Sequence, residues 1–153
     1  QWDQALRLLV EMASVHVELN TVTYNAAVSA CEKDGQWDQV LRLLVEMASA
    51  HVEVNTITCS SAVSACEKGG QWDQALRLLV EMTSAQVCMD TITYSSAVSA
   101  CEKSGEWAKA LGLLAEMALA RVELDTITYS AAVSACEKGG RWDTALGLLA
   151  EMA

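Results

Sequence analysis

Residues 21–47 read TVTYNAAVSACEKDGQWDQVLRLLVEM, and the rest of the chain repeats this phrase with small changes. Trp2, Trp37, Trp72, Trp107 and Trp142 fall 35 residues apart, and so do Cys31, Cys66, Cys101 and Cys136. A fixed period in the range of about 20–50 residues means stacked supersecondary units. Counting from the Thr after each Asn or Asp, complete copies run over residues 21–55, 56–90 and 91–125. Residues 1–20 are the second half of a unit, and residues 126–153 are a unit lacking its last loop. All five belong to one continuous array.

Each copy breaks at a pair that stops helices: Asp34-Gly35, Gly69-Gly70, Ser104-Gly105 or Gly139-Gly140. Before the break, Thr, Val, Ile and Tyr favour strand, and Thr56-Ile57-Thr58 alone would suit one. Spacing decides for helix. Tyr24, Ala27, Val28 and Cys31 recur at i, i+3, i+4 and i+7, with Asn20, Asn55, Asp90 and Asp125 placed to cap each copy. After the break, Leu, Ala, Gln, Arg and Glu make a plain helix former. Trp37, Leu41, Leu44 and Ala48 lie on one stripe of that second helix, and Val40, Leu43 and Met47 on its neighbour. Two stripes need two partners: the first helix of the same unit and the next unit. The predicted fold is all-α, a right-handed α-solenoid of stacked antiparallel helical hairpins.

The chain has 153 residues, 52% of them hydrophobic, and a formal net charge of −10. No apolar run approaches the roughly 18 residues of a membrane span, because charged residues interrupt every unit. The first and last helices resemble interior ones and the chain starts at Gln1, so the expectation is a piece of a longer array. Proline is absent. Stacked helices lie about 9–10 Å apart, beyond the roughly 7 Å between Cα atoms that a disulfide bridges. Cys31, Cys66, Cys101 and Cys136 are therefore expected to be small buried thiols in a reducing compartment. Cys59, which replaces a Tyr, and Cys88, in a loop, are expected to be incidental.

No other feature points to chemistry. The Trp series, with Leu41 and Leu44 below it, is expected to pack in the core. His16 and His51 give way to Gln86 and Arg121 in later copies and read as surface loop. The carboxylates recur once per unit, whereas an active site is unique. With no Ser/His/Asp set, phosphate-cradling loop or metal spacing, no enzymatic activity, cofactor or metal is expected.

Three motifs recur together: Thr-Tyr-Asn or Thr-Tyr-Ser at the head of the first helix, Cys-Glu-Lys-x-Gly at its end, and Ala-Leu-x-Leu-Leu-x-Glu-Met in the second. With the strict 35-residue period they resemble the pentatricopeptide repeat family over the whole chain. The related tetratricopeptide repeat has a period of about 34. The resemblance implies single-stranded RNA as partner, with the first helices lining a groove and one unit facing one base. It implies that bases are read by the pairs Asn25 with Asn55, Ser60 with Asp90, and Ser95 with Asp125. Asn20 and Ser130 are half-readers. Val22, Ile57, Ile92 and Ile127 would pack against base faces, while Lys33, Lys68, Lys103 and Lys138 would contact phosphates or simply cap the helices. Asn with Asn implies a pyrimidine, with C the first choice; Ser with Asp implies a purine, with G the first choice.

The same resemblance implies a mitochondrial or plastid protein acting in RNA processing, editing, stability or translation. The acidic balance is the wrong sign for a polyanion, although most of it lies on the second helices and loops. The family's usual loop Gly is replaced by His16, His51, Gln86 and Arg121, and its later Pro by Leu19, Val54, Met89 and Leu124. These departures suit a second reading, a scaffold that holds protein partners in a large organellar assembly. At about 1–3 kcal/mol per stacked base, three complete readers supply on the order of 3–6 kcal/mol. Micromolar binding needs about 8 kcal/mol, so weak RNA binding is expected of this segment alone.

Overall fold

Asn20, Asn55, Asp90 and Asp125 each hold extended backbone and accept a hydrogen bond from the amide three residues on, at 2.8–3.1 Å. This satisfies a helix-start donor and lets a β-branched head turn helical. The computed structural model describes residues 2–15 and 19–152. Among them are nine helices and no strand: α1 (Trp2–Ser14), α2 (Thr21–Lys33), α3 (Trp37–Ser49), α4 (Thr56–Lys68), α5 (Trp72–Ser84), α6 (Thr91–Lys103), α7 (Trp107–Leu119), α8 (Thr126–Lys138) and α9 (Trp142–Met152). His16 lies outside the described residues. No described helix is long and apolar enough to cross a membrane.

Even-numbered first helices pack on one another in series, α2 on α4, α4 on α6 and α6 on α8. Each interior second helix packs on the first helix before it and the one after it; among the described residues, no two second helices form a close pair. Small side chains permit the first-helix stack: Ala62, Ala97 and Ala132 are fully buried, as are Cys31, Cys66, Cys101 and Cys136. Burial pushes the Cys66 and Cys101 thiols up to about 11, with help from the nearby carboxylates of Asp73 and Glu106 respectively. They behave as apolar packing atoms.

On the second helix, Val40, Leu43 and Met47 form the buried stripe. The neighbouring stripe is shallower: Trp37, Leu41 and Leu44 are half-buried and Ala48 is exposed. Trp37 and Trp107 sit at a seam between units, where a β-carbon on Gly69 or Gly139 would run into the ring. Arg141 covers Trp107 at 4.8 Å from the ring centroid. Trp142 is 61% exposed.

Both helices of a unit end in the same hydrogen-bond pattern. After α2, the amides of Gly35 and Gln36 reach Glu32 and Cys31; after α3, those of His51 and Val52 reach Ala48 and Met47. Each pattern needs a left-handed residue at its centre. Gly35, Gly70, Gly105 and Gly140 supply it after the first helices, whereas His51, Gln86 and Arg121 adopt φ of 54–56° after the second.

Candidate nucleic-acid interface

The first turns of α2, α4, α6 and α8 bring the predicted reading residues into one repeated arrangement. Its centre is the capping side chain. A backbone N–H needs an acceptor, so the cap assigns oxygen to the inner position of Asn55. The Nδ2 amide of Asn55 then remains as an outward donor. In Asp90 and Asp125 the same cap engages Oδ1, leaving Oδ2 as an outward acceptor. Changing Asn to Asp at this place reverses the hydrogen-bonding sense of the exposed atom while keeping the helix start.

Two of the three predicted pairs meet directly. Asn25 Nδ2 donates to Asn55 Oδ1 at 3.5 Å, and Ser60 Oγ lies 3.3 Å from Asp90 Oδ1. The third does not: Ser95 Oγ turns back to the Ile92 carbonyl at 3.1 Å. Asp125 is held instead by Thr128, whose hydroxyl and amide donate to Oδ1 at 2.6 and 2.8 Å. These bonds, the hydroxyl first, keep the Asp125 carboxyl below the usual carboxylate range. Asn20 is an exposed cap that accepts from both the amide and hydroxyl of Thr23, and Ser130 is exposed.

Thr58, Thr93 and Thr128 carry no role in the sequence reading, yet all three are fully buried. The Thr58 hydroxyl donates to Asn25 Oδ1 and reaches Asn55; the Thr93 hydroxyl donates to Asp90 at 2.6 Å and lies 2.7 Å from Ser60 Oγ. Each of these two joins the residue that caps its own helix to the fifth residue of the preceding unit. The available signal was a Thr at the third position of every copy, a poor residue for a helix interior. Thr21, Thr56 and Thr91, one turn-start earlier, donate to the carbonyls of Glu53, Cys88 and Glu123 at 2.8–3.1 Å. They tie each helix head to the loop that ends the unit.

Beside the caps stand Val22, Ile57, Ile92 and Ile127, between 63% and 75% exposed. Aliphatic side chains this open, at the same place in successive units, form an apolar row along the first-helix side. At the other end of the same helices, Lys68, Lys103 and Lys138 meet Glu32, Glu67 and Glu102 of the preceding unit at 2.5–2.7 Å. Ser64, Ser99 and Ser134 donate to the same three carboxylates. The lysine row is therefore internally neutralised, and Lys33 alone of the four has no ion pair among the described residues. Burial pushes the Glu102 carboxyl up, but the Lys138 and Ser134 hydrogen bonds outweigh it and the net shift is downward. No group of three or more potential metal-binding side chains occurs among the described residues.

Residues 2–152 match the family model described as the pentacotripeptide-repeat region of PRORP. Comparison with curated proteins returned no match. Among solved structures, nuclear proteinaceous RNase P 2 from A. thaliana is similar at a TM-score of 0.88 and 18% identity, over 99% of this chain and 34% of that one. The pentatricopeptide repeat protein PPR10 from maize is similar at 0.80 and 27% identity, over 99% and 22%. PPR10 in complex with an 18-nt psaJ RNA element is similar at 0.77 and 25% identity, over 99% and 26%. The chain thus spans between 22% and 34% of the length of these proteins. With the 35-residue period, the stacked first helices and a family match over nearly every residue, this chain belongs to the pentatricopeptide repeat family.

Proposed function

We propose that this chain binds single-stranded RNA along the first-helix side, one base per unit, and that it serves as a binding array without chemistry of its own. The observation that carries the reading is the capping side chain, which spends one atom on the helix and offers the other outward. An outward Asp oxygen accepts from the ring N–H of G or U; an outward Asn amide donates to the unprotonated ring nitrogen of C or A. Exposed Val22, Ile57, Ile92 and Ile127 give base faces an apolar surface beside those atoms. The complex of PPR10 with RNA supports the ligand class.

In this reading units 21–55, 56–90 and 91–125 prefer a pyrimidine, G and G, parallel to the chain. Affinity is weak, because three readers supply little energy and three of the four lysines are already paired. Processing, editing, stabilisation or translation of an RNA in a mitochondrion or plastid is the corresponding cellular role. The test is binding to short RNAs containing CGG, with AAA and UUU controls, across a salt series. CGG preference that moves when Asp90 and Asp125 become Asn supports the reading; equal binding to all three RNAs, or none at low salt, overturns it.

One observation favours a protein-holding scaffold as the second reading. Val10, Val45, Val80 and Leu119 are between 66% and 85% exposed on the second helices, away from the caps. Substituting Asn25 and Ser60 would leave a partner bound there unaffected.

A further inference from the structure

Two cysteines depart from the repeat, and both departures fall in one unit. Cys59 stands where the other copies have Tyr24, Tyr94 and Tyr129; Cys88 stands where they have Glu53 and Glu123. The structure brings the two to one cleft of about 670 Å³, with Leu44, Leu78, Met82 and Val87 also in its lining. Tyr24 and Tyr94 are buried rings, so the smaller Cys59 leaves space that a phenol takes in those units. The Thr56 hydroxyl donates to the Cys88 carbonyl at 2.8 Å and holds residue 88 on the first turn of α4. Cys59 lies three residues, roughly 4.5 Å of helix rise, beyond Thr56. Both thiols are free, Cys59 buried and Cys88 exposed.

We propose that Cys59 and Cys88 form an oxidisable dithiol that closes to an intramolecular disulfide under a peroxide oxidant. Exposed Cys88 reacts first: its thiolate sulfur attacks the O–O bond, an S–O bond forms, and the leaving hydroxide takes up a proton as water. The sulfur of Cys59 then attacks the Cys88 sulfur. The S–S bond forms, the S–O bond breaks, and the oxygen leaves as water carrying the Cys59 proton. Two thiols and one peroxide thus become one disulfide and two waters. Burial pushes the Cys59 thiol up to about 11, with Glu81 adding to it, which suits a resolving thiol that stays unreactive until its partner is activated. The four ladder cysteines are fully buried, one to each first helix, and sit outside this cleft. Closure pins the loop that ends in Asp90 onto the head of α4.

The test is treatment of the chain with a small excess of hydrogen peroxide, blocking with N-ethylmaleimide, and peptide mapping without reduction. The expected result is a linked Cys59–Cys88 peptide, with roughly tenfold loss of Cys88 alkylation that dithiothreitol reverses. Cys59→Tyr and Cys88→Glu restore residues the other units already carry at these positions. Each should abolish the linked peptide, and Cys88 should stay open to alkylation or proceed to higher oxidation in Cys59→Tyr. Unchanged Cys88 alkylation after peroxide, oxidation confined to Cys88 with Cys59 still free, or equal dithiothreitol-reversible Cys88 protection in Cys59→Tyr would each overturn the proposal.

Discussion

Lys68 Nζ sits 2.7 Å from Glu32 Oε1, and the two side chains belong to consecutive units. The pairing recurs at Lys103–Glu67 and Lys138–Glu102, so a row of ion pairs runs along the stack. Half-exposed pairs of this kind couple by about 0.2–1 kcal/mol each. A double-mutant cycle on Glu67→Gln and Lys103→Met should return a coupling in that range by urea unfolding. It should shrink as salt rises from 50 mM to 500 mM, about where the Debye length falls well below 10 Å. Coupling that ignores salt would contradict an ionic origin for the contact.

His51, Gln86 and Arg121 hold left-handed backbone that costs an L-residue roughly 1–2 kcal/mol. Glycine removes that cost but gives back some in unfolded-state entropy. His51→Gly, Gln86→Gly and Arg121→Gly should each stabilise by about 0.5–1 kcal/mol, read as a higher urea midpoint. Replacing Gly35 or Gly105 with Ala should act in the opposite direction, since both have positive φ.

The cap and the outward atom at Asp90 separate cleanly. Asp90→Ala should cost about 0.5–2 kcal/mol, because the Thr93 amide and hydroxyl lose their acceptor. Asp90→Asn should cost less, since an amide oxygen can take the same place. If the array reads RNA, the Asn variant should shift preference at that unit from G toward A with little change in thermal stability. A base preference identical in both proteins would show that the outward atom is not read.

Thr93→Val keeps the shape of the buried side chain and removes its hydroxyl. Ser60 and Asp90 would lose the hydroxyl that ties them to the following unit, at about 1–3 kcal/mol. The same substitution at Thr23, which is only half-buried, should cost less. Equal costs at the two positions would contradict a bridging role.

The pH dependence follows from carboxyl groups held low and thiols held high. Asp125 and Glu102 have folded pKa values below their ordinary ones, so their contribution is complete above the unfolded values. It is lost as pH falls through the folded values, and urea midpoints should be flat from about pH 7 to 5 and drop below about pH 4. At the other end, Cys66 and Cys101 are pushed up to about 11 by burial, so the unfolded chain ionises first. Stability should decline as pH rises above about 9.

Helix identity was legible because Tyr24, Ala27, Val28 and Cys31 repeat at helical spacing, and all four are buried. The caps were legible too, since Asn and Asp recur one place before each Thr and do bind the expected amides. What escaped the sequence depends on the rise from one unit to the next. Lys68 finds Glu32 and Thr58 finds Asn25 only because first helices stack at close range, a distance that no spacing along the chain encodes. Trp37 showed an apolar stripe but not that its ring would lie over Gly69 of the following unit. Ser95 matches Ser60 in type and place and both bond a carbonyl of their own helix, yet only Ser60 also comes within reach of the next cap, because one hydroxyl proton has several acceptors of similar strength.

The one-sided contact pattern also has a mechanical consequence. First helices touch their successors, while among the described residues second helices touch only first helices, so one edge of the molecule is continuous and the other is slotted. Bending then works as in a book: the bound edge keeps its length while the free edges fan or close. Small rotations at each seam leave the packed alanines and cysteines in register and add up over the array. A chain built this way adjusts its curvature and overall length while every unit keeps its own fold, and its compliance grows with the number of units it contains.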